Sequence, residues 1–117
     1  MITKLSGLLA VTIIGIASPA AARPWLYIST FTYSGKAEVC LNQAKKALAS
    51  EGFTKDLEID WQKDKANGGT VEGVLSNSPI RAKIECNPKD GLTGLAVTGL
   101  DNDLTYSKYA KLFDAKW

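Results

Sequence analysis

The sequence predicts an α+β domain with elements in the order β-α-β-β-β-β-α, an antiparallel meander sheet and two helices packed on one of its faces. Three observations carry this. Apolar residues recur at three- and four-residue steps in two segments, 37–48 and 106–117. They alternate with polar residues in Leu57 to Lys63 and in Ile80 to Cys86. The turns separating the last four strands are too short for crossover helices, so those strands must be antiparallel neighbours.

The first twenty-two residues read as a leader. Lys4 supplies a basic start, Leu5 to Ala17 is an apolar run, and Ser18-Pro19-Ala20-Ala21-Ala22 ends it with small residues of the kind a signal peptidase cuts after. The expected cut lies between Ala22 and Arg23. Pro19 and the alanines make the last third a poor spanning helix, so no stable membrane insertion is expected after cleavage. Removing residues 1–22 from 117 leaves 95, a single domain over 23–117, delivered to a periplasmic or secreted location.

Pro24 to Tyr33 is rich in aromatic and β-branched residues and reads as the first strand. Ser34-Gly35 breaks it and offers an N-cap. In the helix that follows, to about Ser50, Ala37, Cys40, Leu41, Ala44, Ala47 and Leu48 share a face, and Gly52 supplies a left-handed C-cap with Phe53 folding back on the last turn. Leu57, Ile59 and Trp61 then alternate with Glu58, Asp60 and Gln62. Lys65 to Gly69 forms a hairpin loop around Asn67-Gly68. Thr70 to Ser76 returns, Asn77-Ser78-Pro79 turns, and Ile80, Ala82, Ile84 and Cys86 make the clearest half-buried strand. After Asn87 to Gly91, Leu92 to Leu100 carries no charge, as expected of a central strand or one covered on both sides. Asp101 opens the last helix, whose expected apolar face is Tyr106, Tyr109, Ala110, Phe113 and Trp117, with Ser107, Lys108, Lys111 and Asp114 opposite.

Cys40 and Cys86 are the chain's two cysteines, and in an oxidising compartment such a pair forms a structural bridge. Cys40 falls on the apolar face of the first helix and Cys86 on the apolar face of its strand. Both thiols therefore point into the helix–sheet interface. There is no C-x-x-C, so a redox role is disfavoured. A bridge closing that loop contributes about 3–4 kcal/mol in the chain-entropy model.

The run Cys40-Leu41, Ala44, Ala47-Leu48, Gly52-Phe53, then Ala82, Ile84-Glu85-Cys86, then Val97-Thr98-Gly99, resembles a class of small exported bacterial proteins without assigned activity. The resemblance implies export, a helix-to-strand disulfide and an α+β fold, and it carries over no reaction. The element order is also similar to that of cystatin-like folds. The Q-x-V-x-G signature of those inhibitors is absent, so protease inhibition does not transfer.

Composition narrows the chemistry. Thirteen Lys and Arg against twelve Asp and Glu beyond residue 22, interspersed and without a basic run, argue against nucleic acid as a partner. The chain has no histidine, which removes Ser-His-Asp, Cys-His and His-metal arrangements. A Ser-Lys pair at Ser34, Ser76 or Ser107 would need a desolvated lysine, and the lysines fall on polar faces. Asp101-Asn102-Asp103-Leu104-Thr105 mimics the D-x-D-x-T of haloacid-dehalogenase phosphotransferases, but only twelve residues follow, and a capped helix start explains the same letters. Glu58 and Asp60 point the same way on a strand, as on any solvated sheet face. No cofactor motif is present, and no catalytic or metal residues are assigned.

The aromatic first strand is the feature that invites a function. Trp25, Tyr27, Phe31 and Tyr33 share one parity with Ser29. Facing inward they are core, with Leu26 and Ile28 outside. Facing outward they form a ladder for stacking flat ligands or a partner segment. The expectation is a small exported, non-catalytic domain that binds a peptide, envelope component or partner protein through this strand. The competing readings are a metal-dependent hydrolase using Asp101, Asp103 and Glu58, and a purely structural envelope protein.

Overall fold

The computed structural model describes residues 23–117; the expected leader, 1–22, lies outside the described residues. In chain order the elements are β1 (Trp25–Thr32), α1 (Ala37–Ser50), β2 (Lys55–Trp61), a 3-10 turn (Lys65–Asn67), β3 (Gly69–Val74), β4 (Arg81–Asn87), β5 (Leu92–Gly99) and α2 (Asn102–Asp114). The sheet has the strand order β1-β5-β4-β3-β2 and every pairing is antiparallel. Strands two to five thus form the expected meander. β1 closes it on the far side of β5, in an unbroken register running from Trp25 opposite Gly99 to Thr32 opposite Leu92.

Register explains the core. Val71, Ile84, Leu95 and Ser29 lie in one cross-strand row, and Gly73, Ala82, Val97 and Tyr27 in the next. These rows face the helices. α1 packs on β3, β4 and the near part of β2, and α2 packs on β5 and β1. Cys40, Leu41, Ala44, Leu48, Phe53, Ile84, Val97 and Leu112 are buried in one cluster. Among the described residues no helix lies on the opposite face of the sheet.

α1 ends as the sequence foretold. Gly52 takes φ +90°, Phe53 N–H donates to Leu48 O at 3.0 Å and Gly52 N–H to Ala49 O at 3.0 Å. This is the Schellman pattern, completed by the buried contact of Phe53 with the core beside Leu48. Its start differs: the N-cap is Lys36, which makes no side-chain cap, not Ser34. In the β2–β3 loop it is Gly68, at φ +99°, that supplies the positive dihedral. A Cβ there would stand 1.9 Å from the carbonyl oxygen of Cys86, so only glycine lets this loop cross the end of β4.

The bridge is formed between Cys40 and Cys86, with Cα atoms 6.1 Å apart, and it ties α1 to β4 within the core. Trp117 reaches back over this region, its indole Nε1 donating to Thr93 Oγ1 at 2.9 Å, while Thr93 Oγ1 donates to Glu85 O at 2.7 Å.

Of the two alternatives for Leu92 to Leu100, the structure takes the central one: β5 lies within the sheet, between β1 and β4, and among the described residues the helices cover one of its faces, with Gly94, Ala96 and Thr98 on the other. One expectation needs correction. The buried stripe of α2 is rotated from the expected one. Thr105 and Leu112 are buried, whereas Tyr106 and Phe113 are exposed. Lys108, expected in solvent, is half-buried because its ammonium donates to Glu51 O at 2.8 Å and lies 3.6 Å from the Glu51 carboxylate. With Lys108 held at the end of α1, Tyr106 and Phe113 lie outward, beside β1.

Candidate functional site

The edge position of β1 makes it the most informative surface. Tyr33 N–H donates to Gly91 O at 2.8 Å. Bonded positions alternate in an antiparallel ladder, so odd-numbered residues of β1 bond to β5. The N–H and C=O groups of Leu26, Ile28, Thr30 and Thr32 therefore face the sheet edge, with no strand of the described residues beyond them. The edge is eight residues long, WLYISTFT, without charge, proline or bulge. Those are the devices by which natural sheets keep other strands away.

The side chains sort by parity. Tyr27 stacks on Tyr109 with ring centroids 5.4 Å apart and meets Tyr106 edge-on at 5.3 Å. Phe31 meets Phe113 at 5.1 Å and Trp117 at 5.9 Å, both edge-on. Tyr27 OH donates to Asn102 Oδ1, and the hydroxyls of Ser29 and Tyr109 are hydrogen-bonded. Tyr33 turns away from α2; its hydroxyl donates to Lys36 O at 3.0 Å beneath the β1–α1 turn. Trp25 lies exposed at the start of the strand. Hence Trp25, Tyr27, Phe31 and Tyr33, the candidate ligand-binding residues, do not make one free platform. Tyr27 and Phe31 are half-buried under α2, which is the inward alternative of the sequence reading.

What the sequence did not single out is the apolar border of this edge. On the open face Leu26 and Ile28 are 62% and 66% exposed. On the helix face Trp25, Tyr106 and Phe113 are 49%, 53% and 45% exposed. The free main chain of β1 is therefore flanked by apolar side chains on both faces. Parity in β1 contained the first half of this signal. The second half required the rotation of α2.

The carboxylates of the hydrolase reading are not brought together. Asp101 caps α2, its side chain accepting from Leu104 N–H at 3.0 Å, and Asp103 lies in the first turn beside it. Glu58 lies on β2, the opposite edge of the sheet, across from Glu72. Glu72 is itself paired with Arg81 and, at 3.8 Å, with Lys83. Among the described residues no three His, Cys, Asp or Glu side chains group as metal ligands. A cleft of about 580 Å³ lies between the start of α1 and the 3-10 turn, walled by Trp61, Pro88 and Ala37, with the Lys65 ammonium 5.3 Å from the Trp61 ring centroid.

Fold and edge together define a single-disulfide α+β domain with one unprotected sheet margin. No helix among the described residues is long and apolar enough to cross a membrane, and the formed disulfide is compatible with export. Compared with known proteins, the chain matches no family model and no curated relative.

Proposed function

We propose that this protein is an exported, non-catalytic binding domain whose β1 edge takes an extended segment of a partner as an added strand. One observation carries the reading: eight uncharged, unbulged residues at a sheet edge, bordered by exposed apolar side chains on both faces. Main-chain pairing to Leu26, Ile28, Thr30 and Thr32 would supply affinity, and the flanking Leu26, Ile28, Trp25, Tyr106 and Phe113 would supply the apolar contact. The leader-like segment 1–22 and the disulfide both support delivery to an oxidising compartment, periplasmic or extracellular. A stapled core suits this work, because a strand can be added at the margin without disturbing the packing behind it.

A photo-crosslinking side chain placed at Ile28 in the exported protein tests this, with the same group at Asp60 as the control. The expected result is an adduct of one discrete mass from position 28 and none from 60. Equal labelling at both positions, or none at 28, overturns the reading.

A further inference from the structure

We propose that the strand added to β1 is β1 of a second copy of this chain, giving a two-fold dimer with one continuous sheet of two sets of five strands. This rests on the edge-binding reading above and names its partner. Three features of the molecule fit a copy of itself.

The first is charge. A dyad sets the strand against its own sequence, so a charge near the axis would approach its own twin, and one farther out would need an opposite charge placed symmetrically to meet it. WLYISTFT contains none.

The second is register. The residues with outward main chain are Leu26, Ile28, Thr30 and Thr32, so self-pairing must place even residues opposite even residues. Full overlap has its dyad at Ser29 and sets Leu26 opposite Thr32 and Ile28 opposite Thr30 of the other copy. All the free N–H and C=O groups of the edge are then used. On the helix face the same register sets Tyr27 opposite Phe31 of the other copy, an aromatic cross-strand pair.

The third is the helix above. The rings of Tyr106 and Tyr109 lie on Tyr27, and those of Phe113 and Trp117 on Phe31. α2 therefore runs parallel to β1, and the level of Ser29 falls near Ala110. A dyad through Ser29 would bring the two α2 helices together antiparallel, with Ala110 near its twin and Tyr106 beside Phe113 of the other copy. Strand spacing of about 4.8 Å puts the two helix axes about 10–14 Å apart when each lies over β1 and β5. That is at or just beyond the roughly 8–10 Å of packed helices. Exposed tyrosine and phenylalanine rings are the right size to fill the difference. The exposed parts of Trp25, Tyr106, Phe113, Leu26 and Ile28 amount to something on the order of 500 Å² per copy, or 1,000 Å² for the pair, the lower limit of a specific interface.

Sedimentation velocity on protein expressed from the full chain and purified from the exported fraction, at about 1 μM to 1 mM, tests the dimer. The expected result is a shift from one chain mass to two across this range. Ile28→Lys, on the open face, and Thr30→Pro, which removes an outward N–H without breaking a bond to β5, should each weaken self-association at least thirty-fold, with thermal unfolding confirming that both fold. Asp60→Lys on the other edge should leave it unchanged. A single chain mass up to about 1 mM, or a dimer insensitive to both β1 variants, overturns the proposal. The two readings fail separately: a monomer that still yields a discrete heterologous adduct from position 28 loses the dimer but keeps the edge site. Mixing Ile28→Cys with Thr30→Cys protein reads the register, since the mixture should crosslink faster than either variant alone. Faster linking of Ile28→Cys to itself would overturn the full-overlap pairing.

Discussion

The two margins of one sheet are built on opposite rules. β2 carries Lys55, Asp56, Glu58 and Asp60 within seven residues, breaks its pairing with β3 between Lys55 and Glu58, and holds Asp56 at φ +53°. An incoming strand would meet charge, a bend and an irregular row of donors. β1 offers regular backbone, no charge and apolar flanks. Protection of one margin in several ways, with the other left bare, is the asymmetry that the proposed pairing at β1 requires.

The strongest way to break this comparison is to weaken the fold without touching either margin. Replacing both cysteines, Cys40→Ala with Cys86→Ala, should lower unfolding free energy by about 3–4 kcal/mol in urea titration. Self-association should persist wherever the variant remains folded; its disappearance from folded protein would show that the margin depends on the staple. Next in size is Gly68→Ala, which drives a Cβ into the Cys86 carbonyl at positive φ and should cost about 2–3 kcal/mol by the same titration. It distorts the loop that carries β2 into β3, so any new association would arise at the protected margin.

Phe31→Ala sharpens the division between the two faces of β1. Its ring is half-buried against Phe113 and Trp117, and its loss should cost about 2 kcal/mol in stability. A change in association alone, with stability untouched, would mean that the ring serves the partner and not the fold. Disarming the other margin with Glu58→Thr and Asp60→Val should change stability by less than about 1 kcal/mol yet create concentration-dependent assembly visible by light scattering. The smallest effect belongs to Thr105→Val. The Thr105 hydroxyl is buried without a hydrogen-bond partner among the described residues, so an isosteric methyl should leave thermal stability unchanged or raise it by up to about 1 kcal/mol, with both margins as before.

Most of the fold was readable locally. The helix ending at Gly52-Phe53 and the alternation in β4 follow from patterns within a single element, and helical spacing for Cys40 with strand parity for Cys86 aimed both thiols at the same interface. The lateral position of β1 is different. Its place beside β5 is a contact between residues sixty or more positions apart, and without that partner neither the free main-chain groups nor the bare margin can be assigned. The face of α2 was misread for a physical reason. Thr105 is polar yet buried, Lys108 is charged yet held by Glu51, and the large rings of Tyr106 and Phe113 look like core while resting at its border. Ring size in the sequence records apolar area, and does not say which molecule covers it.

The covalent ring runs only from Cys40 to Cys86, with β1 before it and β5 and α2 after it. These outer pieces hold one another through rings, a strand ladder and side-chain hydrogen bonds, with no crosslink of their own, so they are expected to form the weaker cooperative unit. Under force or protease they should peel off together, leaving the closed ring behind. The margin proposed to take a partner would thus also be the place where the molecule comes apart first, and occupancy there would act as its clasp.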